Sequence, residues 1–179
     1  MKHTFLIAFC LVSISTFAQK LTKVNPVIKS ATTGIYDLPY AVERPDPKLV
    51  YNIVIEVQRA SEKPDTINWA LNNVARLLNL HSAGGVPAKN MHVVLAIHGG
   101  ATFITMSNEA YREKYKVDNP NLQLFKELDE AGVKMFVCGQ SMIARGVDKD
   151  KMVPQTKIAL SMLTTLTTYQ TKGYALLQF

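Results

Sequence analysis

The chain has 179 residues, of which 47% are hydrophobic and 19% charged, and its formal net charge is +6. That length and apolar content suit one domain with an ordinary core, and exclude a disordered polymer or a small disulfide-stapled scaffold. The Lys and Arg residues are scattered among acids, as in Glu109-Ala110-Tyr111-Arg112-Glu113-Lys114, with no basic block interleaved with aromatics, so nucleic acid is not indicated as a partner.

The chain opens with the layout of a secretory signal peptide over residues 1–18. Met1-Lys2-His3 is a short basic start, residues 4–14 are mostly apolar, and Thr16-Phe17-Ala18 offers small residues for cleavage before Gln19. The segment is too short to span a membrane as a helix. Cleavage of 18 residues from 179 would leave 161, lower the net charge from +6 to +5 with Lys2, and place the protein in the periplasm or outside the cell. It would also remove Cys10 and leave Cys138 as the sole thiol. A lone cysteine in an oxidising compartment implies an intermolecular bridge, a reactive thiol or simple burial.

Residues 19–48 carry Pro26, Pro39, Pro45 and Pro47 with no periodic pattern, and read as an extended arm packed along the domain or a neighbouring subunit. The domain itself is expected over 49–179. Residues 49–57 form an apolar, β-branched run, as in a strand buried on both faces. A helix follows over about 65–81, with Ile67, Ala70, Leu71, Val74, Leu77 and Leu78 on one face and Gly84-Gly85 as its stop. A second buried strand spans 91–97 and runs into His98-Gly99-Gly100. A helix is expected around 107–115. Another is expected from Asn119-Pro120, with Asn119 as the cap and Gly132 as the stop. The third strand covers 133–137. Residues 140–145 read as a short helix, 157–160 as a short strand, 161–172 as a helix capped by Ser161, and 174–179 as a last strand. This alternation predicts an α/β three-layer sandwich, a mostly parallel sheet of about five strands with helices on both faces.

In such a sheet the strands' C-terminal ends share one edge, where ligands and catalytic groups collect. Gln58-Arg59, His98-Gly99-Gly100 and Cys138-Gly139-Gln140-Ser141 would gather there. Cys138 ends an apolar strand at the start of a helix, whose free N–H groups and positive end lower a thiol pKa and favour the nucleophilic thiolate. The same position also suits an inert, buried small side chain. His98 could exchange a proton with a bound group, or bond only to a local carbonyl, and Gly99-Gly100 permit close backbone approach to an anion. Gly139, Gln140 and Ser141 complete the candidate ligand-binding set. No metal-ligand spacing, dinucleotide fingerprint or G-x-S-x-G elbow is present, so no metal or cofactor is expected.

Taken in order, these segments resemble the DsrE/DsrF-like family of small α/β proteins, which includes the sulfur-relay TusD type. The resemblance covers residues 49–179. It rests on the stretch Asn68-Trp69-Ala70-Leu71-Asn72-Asn73-Val74-Ala75-Arg76-Leu77-Leu78-Asn79, and on Ile97-His98-Gly99, Asn119-Pro120-Asn121 and Ala131-Gly132-Val133. Cys138-Gly139-Gln140-Ser141 and Lys172-Gly173-Tyr174-Ala175-Leu176-Leu177 complete it. The resemblance implies a flavodoxin-like sandwich that assembles into dimers, trimers or hexamers. It further implies a strand-end cysteine that accepts sulfur as a persulfide and passes it on, a role that falls on Cys138 and would involve a sulfur donor or acceptor protein. The alternative is a non-catalytic oligomeric protein that binds a small anion or a protein partner, with Cys138 structural.

Overall fold

The computed structural model describes residues 22–32 and 34–179; the expected leader, and Cys10 with it, lie outside these. Two short strands, β1 (Lys23–Val24) and β2 (Ile35–Tyr36), pair antiparallel. The remaining elements run β3 (Tyr51–Val57), α1 (Trp69–Ala83), β4 (Met91–Ile97), α2 (Asn108–Tyr115), α3 (Leu122–Glu130), β5 (Lys134–Cys138), α4 (Gly139–Arg145), β6 (Thr156–Ala159), α5 (Met162–Thr171) and β7 (Ala175–Gln178). Strands β3 to β7 form one sheet in the order β6-β5-β4-β3-β7, with every neighbouring pair parallel. The chain therefore builds outward from β3 to β6. It then returns across one face through α5 to add β7 on the far side of β3.

Side-chain alternation divides the sheet into two faces. Ile53, Ile55, Val57, Val93, Leu95, Ile97, Met135 and Val137 pack with Leu71, Val74 and Leu78 of α1 and with Leu124, Phe125 and Leu128 of α3. Full burial of each large side chain contributes about 1.5–3 kcal/mol, which makes this the main stabilising layer. The opposite face holds Val54, Val94 and Ala96 against Leu166 of α5, with Phe136, Met162, Tyr169, Tyr174 and Leu176 around them. Burial on both faces is why these strands read as continuous apolar runs.

The first sheet strand starts two residues later than expected. Asp46 closes a turn by accepting from Lys48 N at 2.8 Å through Oδ1 and from Leu49 N at 3.2 Å through its carbonyl, which holds the chain out of the ladder there. Residues 27–30 lie on α1 and α3. Ile28 and Ile35 are buried, Asn79 Oδ1 accepts from Val27 N and Ile28 N at 2.8 Å each, and Glu127 Oε2 accepts from Ser30 N at 3.0 Å.

A second correction concerns α3. Its capping position is Asn121, not Asn119, and Asn121 makes no side-chain capping bond. Both asparagines are instead buried and knit loops together. Asn119 Nδ2 donates to the carbonyls of Ile104 and Met106 at 2.8 Å each, and Asn119 Oδ1 accepts from Asn121 N at 3.0 Å. Asn121 Oδ1 in turn accepts from Asn68 N at 2.8 Å, and Asn68 caps α1 by accepting from Leu71 N at 3.1 Å. This chain of amides fixes the loops that leave β3 and β4 at the sheet's C-terminal edge.

Candidate functional site

Cys138 is the last residue of β5 and the residue immediately before α4, so the strand runs into the helix with no intervening loop. It is buried, and it is the free cysteine among the described residues. Its neighbour β6 ends at Ala159, opposite Cys138 in the ladder, and Ser161 then caps α5 by accepting from Leu163 N at 3.2 Å.

 The ladder pairs Ala159 with Cys138, so both residues end their strands at the same level. Two helix starts therefore converge on one sulfur. Cys138 Sγ lies 3.9 Å from Ser161 Oγ. Burial pushes the thiol up, but the backbone N–H groups of Met162, at the start of α5, and Ser141, in the first turn of α4, pull it down. The hydroxyls of Ser141 and Ser161 add to them, and the net effect holds the thiol below its ordinary value. Hydrogen bonds to the charged form are the physical cause, since a thiolate accepts all four and a thiol cannot use them equally.

The other expected site residues fall around this sulfur in different roles. Ser141 Oγ accepts from Gly99 N at 3.2 Å and so ties the end of β4 to the thiol's surroundings. Gly99 has φ +57°, and a Cβ there would stand 2.8 Å from the Gln58 carbonyl oxygen; at Gly100 it would stand 2.8 Å from Ala60 N. The space these glycines leave open is filled by the chain's own residues 58–60, and Gly99–Thr105 winds into a 3-10 helix that sequence periodicity did not reveal. Gly139 packs on the edge strand, where a Cβ would meet the Ala159 carbonyl oxygen at 3.0 Å. Gln140 is exposed, its Nε2 donating to the Leu160 carbonyl at 3.4 Å.

His98 does not bond to a local carbonyl. Its Nε2 lies 2.8 Å from Glu56 Oε1, with both side chains largely buried at 12% and 14% exposure. The second oxygen of Glu56 accepts from Gln178 Nε2. Alternation and register put Glu56, His98, Cys138 and Gln178 on the α5 side of the sheet. With Ser161 they form a polar row across the ends of all five strands. Glu56 and Gln178 were missed as site residues, although a lone acid inside the apolar stretch Ile53-Val54-Ile55-Glu56-Val57 is itself a signal. Ser161 was legible as a helix cap and not as a partner of the sulfur. A surface hollow of about 420 Å³ between residues 22–48 and α1, lined in part by Lys23, Tyr36, Trp69 and Arg76, shares no residue with this row. Among the described residues, no group of three or more His, Cys, Asp or Glu side chains could hold a metal ion.

Comparison with known proteins gives the family and the fold. Residues 52–179 match the model of the DsrE/DsrF-like family. No curated protein matches the chain. Among solved structures, the protein of unknown function MTH1491 from Methanobacterium thermoautotrophicum is similar at a TM-score of 0.54 and 17% identity, over 72% of this chain and 99% of that one. The YchN protein from E. coli is similar to the same degree, with a TM-score of 0.54, 17% identity and the same coverage of 72% and 99%. Both likenesses concern the fold alone, the all-parallel α/β sheet. The family match runs from Asn52 in β3 through β7 and so takes in all five strands but for Tyr51, and the chain belongs to the DsrE/DsrF-like family.

Proposed function

We propose that the protein handles sulfane sulfur and carries it as a persulfide on Cys138. One observation carries this reading: the starts of α4 and α5 converge on the Cys138 sulfur and hold its thiol below the ordinary value. A thiolate is the nucleophile in sulfur exchange, and its fraction sets the rate of attack at a given pH. In the loading step the Cys138 thiolate attacks the outer sulfur of a donor persulfide R–S–SH. The donor's S–S bond breaks, a new S–S bond forms at Cys138, and R–S⁻ leaves. The same exchange run towards an acceptor thiolate unloads the sulfur, so no external oxidant or reductant is needed. The exposed Leu160 and Leu163 beside this edge suit a protein donor or acceptor.

Intact mass after exposure to a small-molecule persulfide tests the reading. Wild type should gain one sulfur atom that a reducing thiol removes, and Cys138→Ser should gain none. No addition to wild type, or equal addition to both, contradicts it; the second reading, a binding protein with Cys138 structural, would then hold.

A further inference from the structure

We infer that His98, oriented by Glu56 and Gln178, is the acid–base residue of this edge and exchanges a proton with the thiol that gives sulfur to Cys138 or takes it away. The inference rests on the reading of Cys138 as the reacting sulfur.

Its first support is register. Ile97 pairs with Val137, so the next residues, His98 and Cys138, leave neighbouring strands side by side, and alternation puts both on the α5 face. Parallel strands stand about 4.8 Å apart, and an S–S bond is about 2 Å long. A sulfur bound to Cys138 Sγ is thus within side-chain reach of the imidazole. The link from Gly99 N to Ser141 Oγ holds the two strand ends in this relation.

The second support is the partner set of His98. Glu56 Oε1 fixes the ring by taking Nε2–H, which leaves Nδ1 as the exchanging atom. Gln178 occupies the other carboxylate oxygen and so restricts the turning of Glu56. A buried carboxylate is expensive unless it is paired, and here it stabilises the imidazolium that forms when His98 takes up a proton.

The surroundings contain few competitors. Helix α5, which covers this face, carries no charged side chain over Met162–Thr171, and its ionisable residue Tyr169 packs against Phe136 and Tyr174. Lys134 and Lys157, which alternation places on this face, are exposed.

The proton balance closes. The Cys138 thiolate attacks the outer sulfur of R–S–SH, the donor's S–S bond breaks, and His98, protonated from solvent, gives its proton to R–S⁻, which leaves as R–SH. In unloading, His98 takes the proton of the acceptor thiol, whose thiolate attacks the outer sulfur of the Cys138 persulfide; the persulfide's S–S bond breaks and Cys138 leaves as the thiolate.

Two disulfide probes test the inference without requiring persulfide carriage. An alkyl disulfide such as cystamine releases a basic thiolate that benefits from protonation. The aromatic disulfide dithiobis(nitrobenzoate) releases an acidic thiolate that does not. His98→Gln should slow reaction of Cys138 with cystamine at least about tenfold and leave the aromatic reagent's rate unchanged. Glu56→Gln, a closely isosteric change, should produce a smaller loss with the same selectivity. Equal slowing of both reagents, or no slowing of either, overturns the inference. If wild type gains no sulfur from a persulfide yet the selective loss appears, persulfide carriage fails while the role of His98 stands. A wild-type thiol inert to both reagents contradicts both.

Discussion

On the α1/α3 side of the sheet, Ile53, Ile55, Leu95 and Val137 lie under two helices and the 22–48 segment, in a layer made almost wholly of hydrocarbon. On the α5 side the same strands contribute Val54, Val94 and Ala96 beneath a single helix, and they end in Glu56, His98, Cys138 and Gln178. Each strand thus serves two purposes through side-chain alternation. One face carries most of the stability, and the thinner face bears the polar groups at its edge. Polar groups concentrate where burial is shallower, and there the starts of α4 and α5 supply N–H donors to the Cys138 sulfur.

The comparison is broken most strongly by truncations on the two faces. Phe125→Ala, on the thick side, should destabilise by about 3–5 kcal/mol, because a large side chain with no measurable exposure leaves a cavity there. Leu166→Ala, on the thin side, should cost about 2 kcal/mol, the low end for such a change, because Leu166 is 8% exposed and its surroundings can collapse. Denaturant unfolding of both variants checks the order. Equal losses would mean that the two faces share the load.

A smaller effect tests how the edge is held. Asn121→Ala removes the acceptor of Asn68 N and leaves that buried donor unpaired, for an expected loss of about 1–3 kcal/mol. Denaturant unfolding measures this too, and an unchanged stability would show that the amide chain does not fix the loops leaving β3 and β4.

The fold was the more legible part of the sequence. The runs at 49–57 and 91–97 announce strands buried on both faces, and Ser161 before an apolar helix announces a cap; each of these elements is present, β3 shorter by two residues. Asn119-Pro120 misled because a cap and a buried loop tie draw on the same residue type, and only tertiary contacts distinguish them. The candidate site was legible in part. Cys138 at a strand end before a helix could be read locally. Its second helix start, at Met162, comes from 24 residues further on and reaches the sulfur only because β6 pairs beside β5. Glu56 and Gln178 are 122 residues apart and meet through the pairing of β3 with β7, a crossover that no local pattern encodes.

The central claim is that the fold holds the Cys138 thiol below its ordinary pKa. Because the thiol is depressed in the folded protein, its ionisation adds stability that is fully present above the unfolded value and is lost as pH falls through the folded one. The most direct measurement is the pH dependence of Cys138 alkylation by iodoacetamide in the native protein, compared with Ser141→Ala. The wild-type midpoint should fall below that of an ordinary cysteine, about 8.5, and the variant's should rise towards it. A wild-type midpoint at or above the ordinary value, unmoved in Ser141→Ala, would contradict the claim.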